Sequence, residues 1–382
     1  MDFESLFDIP IDDLHTPCYL TDARLLQKNT ALLKQIQQRT GCKILLAQKA
    51  FSMFSAYPLI RDDLAGTTAS GLFEAKLGRE HFGKEVHVFS PAYTQEDFTQ
   101  LLKLCDHIVF NSFGQWKKYR QQVQDATRNI SCGIRINPGY AEVETDLYNP
   151  CISGSRMGVP LEQMEDDFAG LDGIHFHTMC EQNSDVLERT LDHMLPQFDK
   201  WLKQCKWVNF GGGHHITRPD YDVERLVRCI EQVRDTYGVQ VYLEPGEAVA
   251  LNAGYLVATV LDVVHNGMDI AILDASAACH MPDVLEMPYR PHILYSGTAG
   301  EKAYTYRLAG NTCLAGDVIG DYSFDHQLQA GEKLVFCDMA IYSMVKNNTF
   351  NGVPLPDIAL YQNGHIDLVK RFGYADFEGR LS

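Results

Sequence analysis

The chain has 382 residues, of which 45% are hydrophobic and 22% are charged, and its formal net charge is −17. This length exceeds one ordinary hydrophobic core, so two domains are expected. The negative charge argues against binding to a nucleic-acid backbone and gives weak support to a cationic small molecule as ligand.

Cysteine usage and the N-terminal segment indicate a cytoplasmic protein. Eleven cysteines are scattered without CxxC spacing, as in proteins that keep their thiols reduced. The first residues, MDFESLFDIP, are acidic and lack the basic and then apolar pattern of a secretory signal. The most apolar stretch, residues 255–264, is far too short to span a bilayer, so no membrane association is expected.

The predicted elements begin with a helix and continue with a regular β–α rhythm. Leucines and an isoleucine repeat at helical spacing over residues 25–36, and Gly41 ends that helix. Eight short apolar runs follow, each typical of a buried parallel strand, and most gaps between them fit a helix, one of which is capped by Thr94. The runs are KILLAQ (43–48), LAGTTAS (64–70), VHVFSP (86–91), HIVFNS (107–112), CGIRINP (132–138), GIHFHT (173–178), WVNFGGG (207–213) and VQVYLEPG (239–246).

Eight β–α units over about 200 residues favour an α/β fold of the (β/α)8 TIM-barrel type over an open, doubly wound sheet, which stays as the alternative. Lys49, His177, the glycines at 211–213 and Glu244 fall at or just past the C-terminal ends of predicted strands. In a barrel, that end is the catalytic face.

After residue 254, closely spaced strands with Gly and Asp turns replace the β–α rhythm. This spacing predicts a C-terminal all-β domain, to which the early run TPCYLTD adds a strand. The predicted domains are therefore a barrel at 20–253 and a β domain at 1–19 and 254–382.

Lys49 follows an apolar strand directly, in LLAQKA. Burial would disfavour the ammonium, lower its pKa and prepare the amine to react with an aldehyde. The alternative is a lysine that extends from the barrel mouth into solvent. Alone, the residue does not decide between the two.

A glycine run and an acid follow two later strands. Gly211, Gly212 and Gly213 could direct backbone N–H groups at a phosphate. A plain tight turn is the alternative, but three consecutive glycines are more than a turn needs, which favours the phosphate. Glu244 begins an EPG turn, where a carboxylate can keep a pyridine nitrogen protonated. In an isolated EPG motif, the glutamate is more often an N-capping acid held in place by the rigid Pro-Gly turn.

His175 and His177 alternate on one strand, so both side chains face the same side. Such a pair could bind a metal with Cys180, His214 or His215. The interpretation preferred here has no metal: His177 lies over the face of a cofactor ring, and His175 packs behind it.

Cys313, in GNTCLAGD, and Tyr342, in DMAIYS, lie in the predicted β domain. A thiol in a glycine-rich loop could protonate a carbanion, and a tyrosine hydroxyl could donate to a phosphate oxygen. Taken alone, each is better explained as a buried packing residue.

The ordered set KILLAQKA, GIHFHT, WVNFGGG, LEPGE, GNTCLAGD and TFNG resembles the fold-type III pyridoxal-phosphate decarboxylases, the family of ornithine, arginine and diaminopimelate decarboxylases. The resemblance runs from TPCYL to the terminal FGYADF. It implies an alanine-racemase-like barrel with a β domain, pyridoxal 5′-phosphate as cofactor and an obligate head-to-tail homodimer.

The resemblance also assigns roles by position. It implies that Lys49 carries the cofactor, that His177 stacks on its ring and that Glu244 pairs with the pyridine nitrogen. Cys313 would enter the active site of the partner subunit. The residues implied to hold the phosphate are Gly211, Gly212, Gly213, Gly246 and Tyr342.

Two departures from the best-known members indicate a branch of the family. EPGE replaces EPGR, so Glu247 stands where an arginine is usual, and Leu314 follows the loop cysteine where an acid is usual. EPGEA, CLAGD and MVKNNTFNG are most similar to the branch that decarboxylates carboxynorspermidine or carboxyspermidine. There, Glu247 and Asp283 are expected to bind the amines of a cationic substrate, with Asp274 as a further candidate. The alternative for all three acids is a structural role in a turn or a helix cap.

Three other functions stay open. A diaminopimelate decarboxylase should carry positive groups for a second carboxylate, which Glu247 disfavours. An alanine racemase pairs the pyridine nitrogen with arginine, whereas Glu244 is an acid. A catalytically inactive binding protein would be free to lose Lys49, the glycines or Glu244, all of which are present.

Overall fold

A computed structural model describes Glu4 and residues 7–382. The chain forms two compact units, which are Gln27–Val249, here called the barrel unit, and Met1–Leu26 with Ala250–Ser382, here called the β unit.

The first two elements are strand β1 (Cys18–Asp22), part of the β unit, and helix α1 (Ala23–Thr40). Leu26, Leu33 and Ile36 of α1 are buried, and Gly41 follows the helix with a φ of 72°. The apolar spacing and the glycine that predict this helix are confirmed.

The barrel unit is built on a closed sheet of parallel strands. In chain order these are β2 (Lys43–Ala47), β3 (Gly66–Ala69), β4 (Glu85–Phe89), β5 (His107–Phe110), β6 (Ser131–Asn137), then β7 (Val159–Pro160) beside the circuit, β8 (Gly173–His175), β9 (Trp207–Asn209) and β10 (Gln240–Leu243). β2 pairs with β3 and β10, and β5 pairs with β4 and β6, so the circuit closes. The predicted barrel is confirmed, and each predicted apolar run overlaps one of its strands.

Helices lie between these strands. They are α2 (Tyr57–Ile60), α3 (Leu72–Leu77), α4 (Gln95–Leu104), α5 (Phe113–Gln124), α6 (Ser184–Leu202), α7 (Val223–Tyr237) and α8 (Glu247–Ala250). Shorter helical turns span Phe54–Ala56, Gly78–Phe82, Asp146–Tyr148 and Leu161–Gln163. The predicted cap of α4 is present, because the N–H of Asp97 donates to Oγ1 of Thr94 at 3.1 Å.

Large side chains fill the barrel at the N-terminal ends of its strands. Trp207 opens β9 and packs against Tyr242 of β10 in an apolar cluster. A Cβ on Gly133 or Gly173 would overlap the Trp207 ring, so these glycines make room for the indole. Because this end is filled by packing, a site is expected at the opposite end.

The β unit contains a mixed sheet and short helices. After β1, its strands are β11 (Gly254–His265), β12 (Asp269–Leu273), β13 (Gly297–Thr298), β14 (Tyr304–Ala309), β15 (Val318–Phe324), β16 (Lys333–Cys337), β17 (Asp357–Gln362) and β18 (His365–Lys370). Its helices are α9 (Ala277–His280), α10 (Asp283–Glu286), α11 (Ser343–Lys346) and α12 (Tyr374–Glu378), with a helical turn at Phe350–Gly352. The strand order is β13-β15-β14-β12-β11-β1-β17-β18, and β16 pairs with β11. β1 lies antiparallel to β11 and parallel to β17, which confirms that TPCYLTD adds a strand here.

The predicted β domain is confirmed, and short helices accompany its strands. Four short helices interrupt it within the described residues. The run KLVFCDMAIYS, for example, stops being a strand at Cys337. Asp338 and Tyr342 have φ values of 58° and 53°, a left-handed conformation that cannot continue a strand, and the chain turns into α11.

Each helix in the described part of the chain is too short or too polar to cross a membrane.

Candidate active site

A cavity of about 240 Å³ lies at the C-terminal ends of the barrel strands. Lys49, His177 and Glu244, which the sequence analysis places on this face, line it together. His175 and Arg135 line it as well. Three predicted site residues that are far apart in the sequence therefore share one cavity.

Lys49 lies two residues beyond the end of β2. Its side chain is accessible from the cavity, so it is less buried than the sequence predicts. It is nevertheless deep enough among protein atoms for burial to lower the pKa of its amine, and Arg135 lowers that pKa further, against Glu244 and Glu247. A lysine with a lowered pKa is a better nucleophile at neutral pH.

Glu244 directly follows β10 and is 7% exposed. Nδ2 of Asn209 donates to its Oε1 at 2.7 Å, and Nε2 of His175 lies 3.3 Å from its Oε2. Burial alone would raise the pKa of Glu244, but His175 and Asn209 outweigh it and lower that pKa to about 2. Because burial also lowers the pKa of His175, its ring is neutral at neutral pH, and we regard the hydrogen bond from Asn209 as decisive for the ionised carboxylate.

The ring of His177 lies against the glycine loop. The N–H of Gly212 donates to its Nδ1 at 3.2 Å. Burial, and then Lys49 and Arg135, lower the pKa of His177 well below its usual value. The imidazole is therefore neutral, and its hydrogen is on Nε2 because Nδ1 is an acceptor. A neutral ring that lines the cavity is suited to packing against a flat heterocycle.

The glycine loop, residues 211–213, lies very close to the backbone of neighbouring segments. Gly211 and Gly213 have φ values of 70° and 82°, in the region that favours glycine. A Cβ on Gly212 would lie 2.7 Å from the carbonyl oxygen of Glu244, and one on Gly213 would overlap the backbone of Met179. All three positions therefore require glycine before any ligand is considered.

Two of the three N–H groups that the sequence directs at a phosphate are used within the protein. The N–H of Gly211 donates to Oδ1 of Asn209 at 2.8 Å, and that of Gly212 donates to His177. Convergence of all three N–H groups on a phosphate therefore stays a prediction, which these two hydrogen bonds do not favour. Gly213 is the member of the run that we retain as a phosphate donor.

Replacing Gly213 by alanine is expected to cost stability as well as cofactor binding. The new Cβ would overlap the backbone of Met179, so the loop has to move. Gly238→Ala is the matched control, because Gly238 has a φ of 68° and open space around its Cβ. We expect the free energy of unfolding in urea to fall by about 1 kcal/mol in the control and about 3 kcal/mol in Gly213→Ala. Equal losses would contradict a close approach at Gly213.

Arg135 and Asn209 are site residues that the sequence analysis missed. Arg135, on β6, is 6% exposed, and its guanidinium lies 4.6 Å from the centroid of the Phe89 ring. Its Nη2 donates to the carbonyl oxygen of His177 at 3.2 Å. Burial lowers the pKa of Arg135 to about 10. The sequence nevertheless contains a signal for both residues. Arg135 is a charged residue inside the apolar run CGIRINP, and Asn209 is an amide inside WVNFGGG. Polar residues in buried strands are rare without a partner or a function.

The β unit carries the other predicted residues. Cys313 is exposed, and its N–H donates to Oδ1 of Asn351 at 2.8 Å, which ties the cysteine loop to the TFNG motif. Tyr342 precedes α11 with a φ of 53°, a strained backbone conformation that occurs preferentially at functional sites.

The two candidate acids of the β unit differ in their partners. Both oxygens of Asp274 are used to join strands, because Oγ1 of Thr16 donates to one at 2.6 Å and the N–H of Thr259 donates to the other at 2.7 Å. This favours a structural role, and we leave Asp274 out of the substrate site. Asp283 is bonded to the ammonium of Lys346 and keeps a partly exposed carboxylate.

The possible metal ligands that stand close together in the described residues are Glu85, His87 and His107, not the pair His175 and His177. They lie on β4 and β5. Glu85 is bonded to Lys43, and the two imidazole rings stack at 3.9 Å with an angle of 7° between their planes. Parallel rings direct their lone pairs along parallel lines, whereas ligands of one ion must converge. We assign no metal to this cluster.

The residues of the cavity fit pyridoxal phosphate, a flat pyridine aldehyde with a phosphate. The cavity joins an accessible amine of lowered pKa, a buried ionised acid and a neutral ring, as described above. Nε of Arg135 and Oγ1 of Thr178 are buried polar atoms without a partner among the described residues. These features define a pyridoxal-phosphate site on a (β/α)8 barrel.

Comparison with known proteins agrees with this class of site. A family model described as pyridoxal-dependent decarboxylase, C-terminal sheet domain, matches residues 18–340. The chain is 42% identical to the carboxynorspermidine/carboxyspermidine decarboxylase of Campylobacter jejuni, over 97% of this chain and 99% of that protein. It is also 42% identical to the carboxyaminopropylagmatine decarboxylase of Synechocystis sp., over 97% of this chain and 96% of that protein.

A solved structure agrees with the sequence matches. The crystal structure of carboxynorspermidine decarboxylase from Campylobacter jejuni, complexed with norspermidine, has a TM-score of 0.89 and 41% identity, and covers 96% of this chain and 100% of that chain. The chain belongs to the pyridoxal-dependent decarboxylase family, and it is a carboxy-lyase whose cofactor is pyridoxal 5′-phosphate. The resemblance to the fold-type III decarboxylases is confirmed.

Proposed function

We propose that this enzyme decarboxylates carboxynorspermidine or carboxyspermidine, giving norspermidine or spermidine in polyamine biosynthesis. The observation that carries the proposal is the position of Glu247. This acid is half-buried at the start of α8, and it is near enough to raise the pKa of the Lys49 amine. A carboxylate so close to the reactive amine can bind a further ammonium of the substrate by a charge-assisted hydrogen bond.

The barrel residues have separate tasks. When bound, pyridoxal phosphate supplies an electron sink that stabilises the carbanion left by loss of CO2. Lys49 is assigned to hold the cofactor covalently and His177 to pack against its ring. Glu244 is assigned to the pyridine nitrogen, because the hydrogen bond from Asn209 keeps its carboxylate ionised.

The phosphate is assigned to backbone groups and one hydroxyl. Gly213 and Gly246 supply the backbone, and Tyr342 supplies the hydroxyl. A Cβ on Gly246 would lie 2.5 Å from Cβ of Ala50, so this loop runs directly against the turn that carries Lys49. That contact supports a phosphate position close to the reactive amine.

The proposed proton donor is Cys313 of a second copy of the chain. The thiol is exposed, and its loop is anchored through Asn351. An exposed but ordered thiol is available to a partner subunit, and the active sites would then be shared in a head-to-tail homodimer. The proposed location is the cytoplasm, which the unpaired state of all the cysteines supports.

Two other substrates are the main competitors. The similarity to a carboxyaminopropylagmatine decarboxylase makes a substrate with a distal guanidinium the nearest alternative. Diaminopimelate carries a second amino-acid head, whose carboxylate Glu247 would repel. Decarboxylation rates for both carboxypolyamines, carboxyaminopropylagmatine, diaminopimelate and ornithine test the proposal. A kcat/KM for either carboxypolyamine at least about tenfold above that for diaminopimelate is expected, since one charge-assisted contact is worth that much. A higher kcat/KM for carboxyaminopropylagmatine than for both carboxypolyamines would contradict the proposed substrate.

Glu247→Gln is expected to lower kcat/KM for carboxypolyamines by about 10- to 100-fold, the value of one hydrogen bond to a charged group. The variant should keep its cofactor, which is measured by visible absorbance and its loss on borohydride treatment. Glu224→Gln is the matched control, because it removes the same charge from an exposed pair with Arg39. Normal turnover of carboxypolyamines by Glu247→Gln would contradict the specificity argument.

A further inference from the structure

The ammonium of Lys346 is bonded to Asp283, an acid that the family resemblance implies in substrate recognition. Nζ of Lys346, on α11, is bonded to Asp283 and lies 2.6 Å from Oε2 of Glu286, both on α10. The side chains are 32%, 18% and 52% exposed, respectively, so a solute can reach the cluster.

The lysine remains charged in this cluster. Burial alone would lower the pKa of Lys346, but Asp283 and Glu286 outweigh burial and raise that pKa. Two carboxylates and one ammonium leave one net negative charge. A substrate amine that approaches Asp283 therefore meets a carboxylate that already has a cationic partner, and it is repelled by that partner.

We propose that Lys346 is a specificity-determining residue that shares Asp283 with the distal amine of the substrate and weakens the binding of polycationic ligands. The inference rests on the proposed function and on the expectation, implied by the family resemblance, that Asp283 binds an amine of the substrate. The repulsion by Lys346 would help the enzyme to release its product. Decarboxylation replaces a carboxylate by hydrogen, so the product carries one more net positive charge than the substrate. Repulsion by Lys346 therefore acts more strongly on the product and favours its release.

A purely structural role for Lys346 makes the opposite prediction. If the lysine only joined α10 to α11, its removal would loosen Asp283 and weaken ligand binding. If the lysine competes with the ligand, its removal leaves the cluster more negative and strengthens binding. The direction of the change in affinity therefore separates the two roles.

The test uses holoenzyme, carboxynorspermidine as substrate and norspermidine as product inhibitor. Lys346→Met is expected to lower KM about three- to tenfold and Ki for norspermidine by at least as much, which is the range of one screened charge repulsion. Lys346→Arg keeps the cation and should restore constants near those of the wild type. Lys302→Met is the matched control, because it removes a lysine bonded to Asp325 at 2.7 Å in the same unit. If Lys346→Met unfolds, as shown by its thermal melting, Lys346→Gln replaces it.

Unchanged or raised KM and Ki in a folded Lys346→Met or Lys346→Gln variant would overturn the inference. The Asp283→Asn variant distinguishes a wrong role for Lys346 from a wrong role for Asp283. If Asp283 binds an amine, this variant should raise both KM and Ki. If Asp283→Asn raises them and the lysine variants do not lower them, only the role of Lys346 is wrong. If Asp283→Asn changes neither constant, Asp283 does not bind an amine and the inference fails, while Glu247→Gln still tests the proposed function.

Discussion

Lys49→Arg is expected to release no CO2 above background from any carboxypolyamine, a loss of about a thousandfold or more in kcat. Arginine keeps a cation beside Glu244 and Glu247, so the charge balance of the cavity is preserved. Its guanidinium is not deprotonated in proteins and cannot replace the amine as a nucleophile. The measurements are CO2 release and the protein mass after borohydride treatment, which should show bound cofactor in the wild type alone.

Lys34→Arg is the matched control for this substitution. Lys34 lies on α1, and its ammonium is bonded to Asp63 at 2.9 Å on the surface of the barrel unit. The same exchange there should leave CO2 release and cofactor attachment unchanged. A Lys49→Arg variant that still turned over, or still gained the cofactor mass, would show that another amine carries the cofactor and would remove the basis of the proposed site.

Glu244→Gln is expected to have the second-largest effect, lowering kcat by about 100- to 1000-fold, which corresponds to two or three pK units of lost stabilisation of a protonated pyridine nitrogen. The amide has the same shape and can still accept from Asn209, but it has no charge. Because the pKa of Glu244 is lowered from its usual value, with the hydrogen bond from Asn209 stabilising the charge, the wild-type carboxylate is ionised at neutral pH. An acidic limb in the wild-type pH profile is therefore not expected from this residue.

Glu85→Gln serves as the control for the loss of one carboxylate from the barrel. Glu85 lies on β4, bonded to Lys43 and 3.2 Å from the ring of His87. The substitution should lower stability but leave kcat near the wild-type value, because Glu85 does not line the cavity. A kcat for Glu244→Gln equal to that of the wild type would show that the acid does not act on the cofactor.

The barrel could be predicted because its signals are local. Each strand is a short apolar run bounded by Gly, Pro or polar residues, and the residues placed at strand ends, such as Lys49 and Glu244, followed from that spacing alone. The β unit was harder, since its strands and left-handed turns share the same apolar composition. Nothing in DMAIYS marks the positive φ of Tyr342.

Side-chain partners account for the other differences between the sequence analysis and the structure at the site. The roles of Asp274 and of the N–H groups of Gly211 and Gly212 depend on partners such as Thr16, Asn209 and His177, which spacing does not reveal. Arg135 was visible as a charge in an apolar strand. Its function could be recognised only once the cavity showed where its guanidinium lies.

The pairing of β1 has a consequence for how the protein is made. All five residues of β1 are buried, yet their strand partners are residues 254–257 and 357–361. A ribosome therefore has to complete the whole barrel, and nearly all of the rest of the polypeptide, before this segment finds both neighbours. Until then β1 exposes unpaired backbone groups that are prone to mispairing. The barrel strands, by contrast, pair mostly with the next strand of the barrel along the chain, apart from the closure of β2 on β10, so most of their contacts become available earlier in translation.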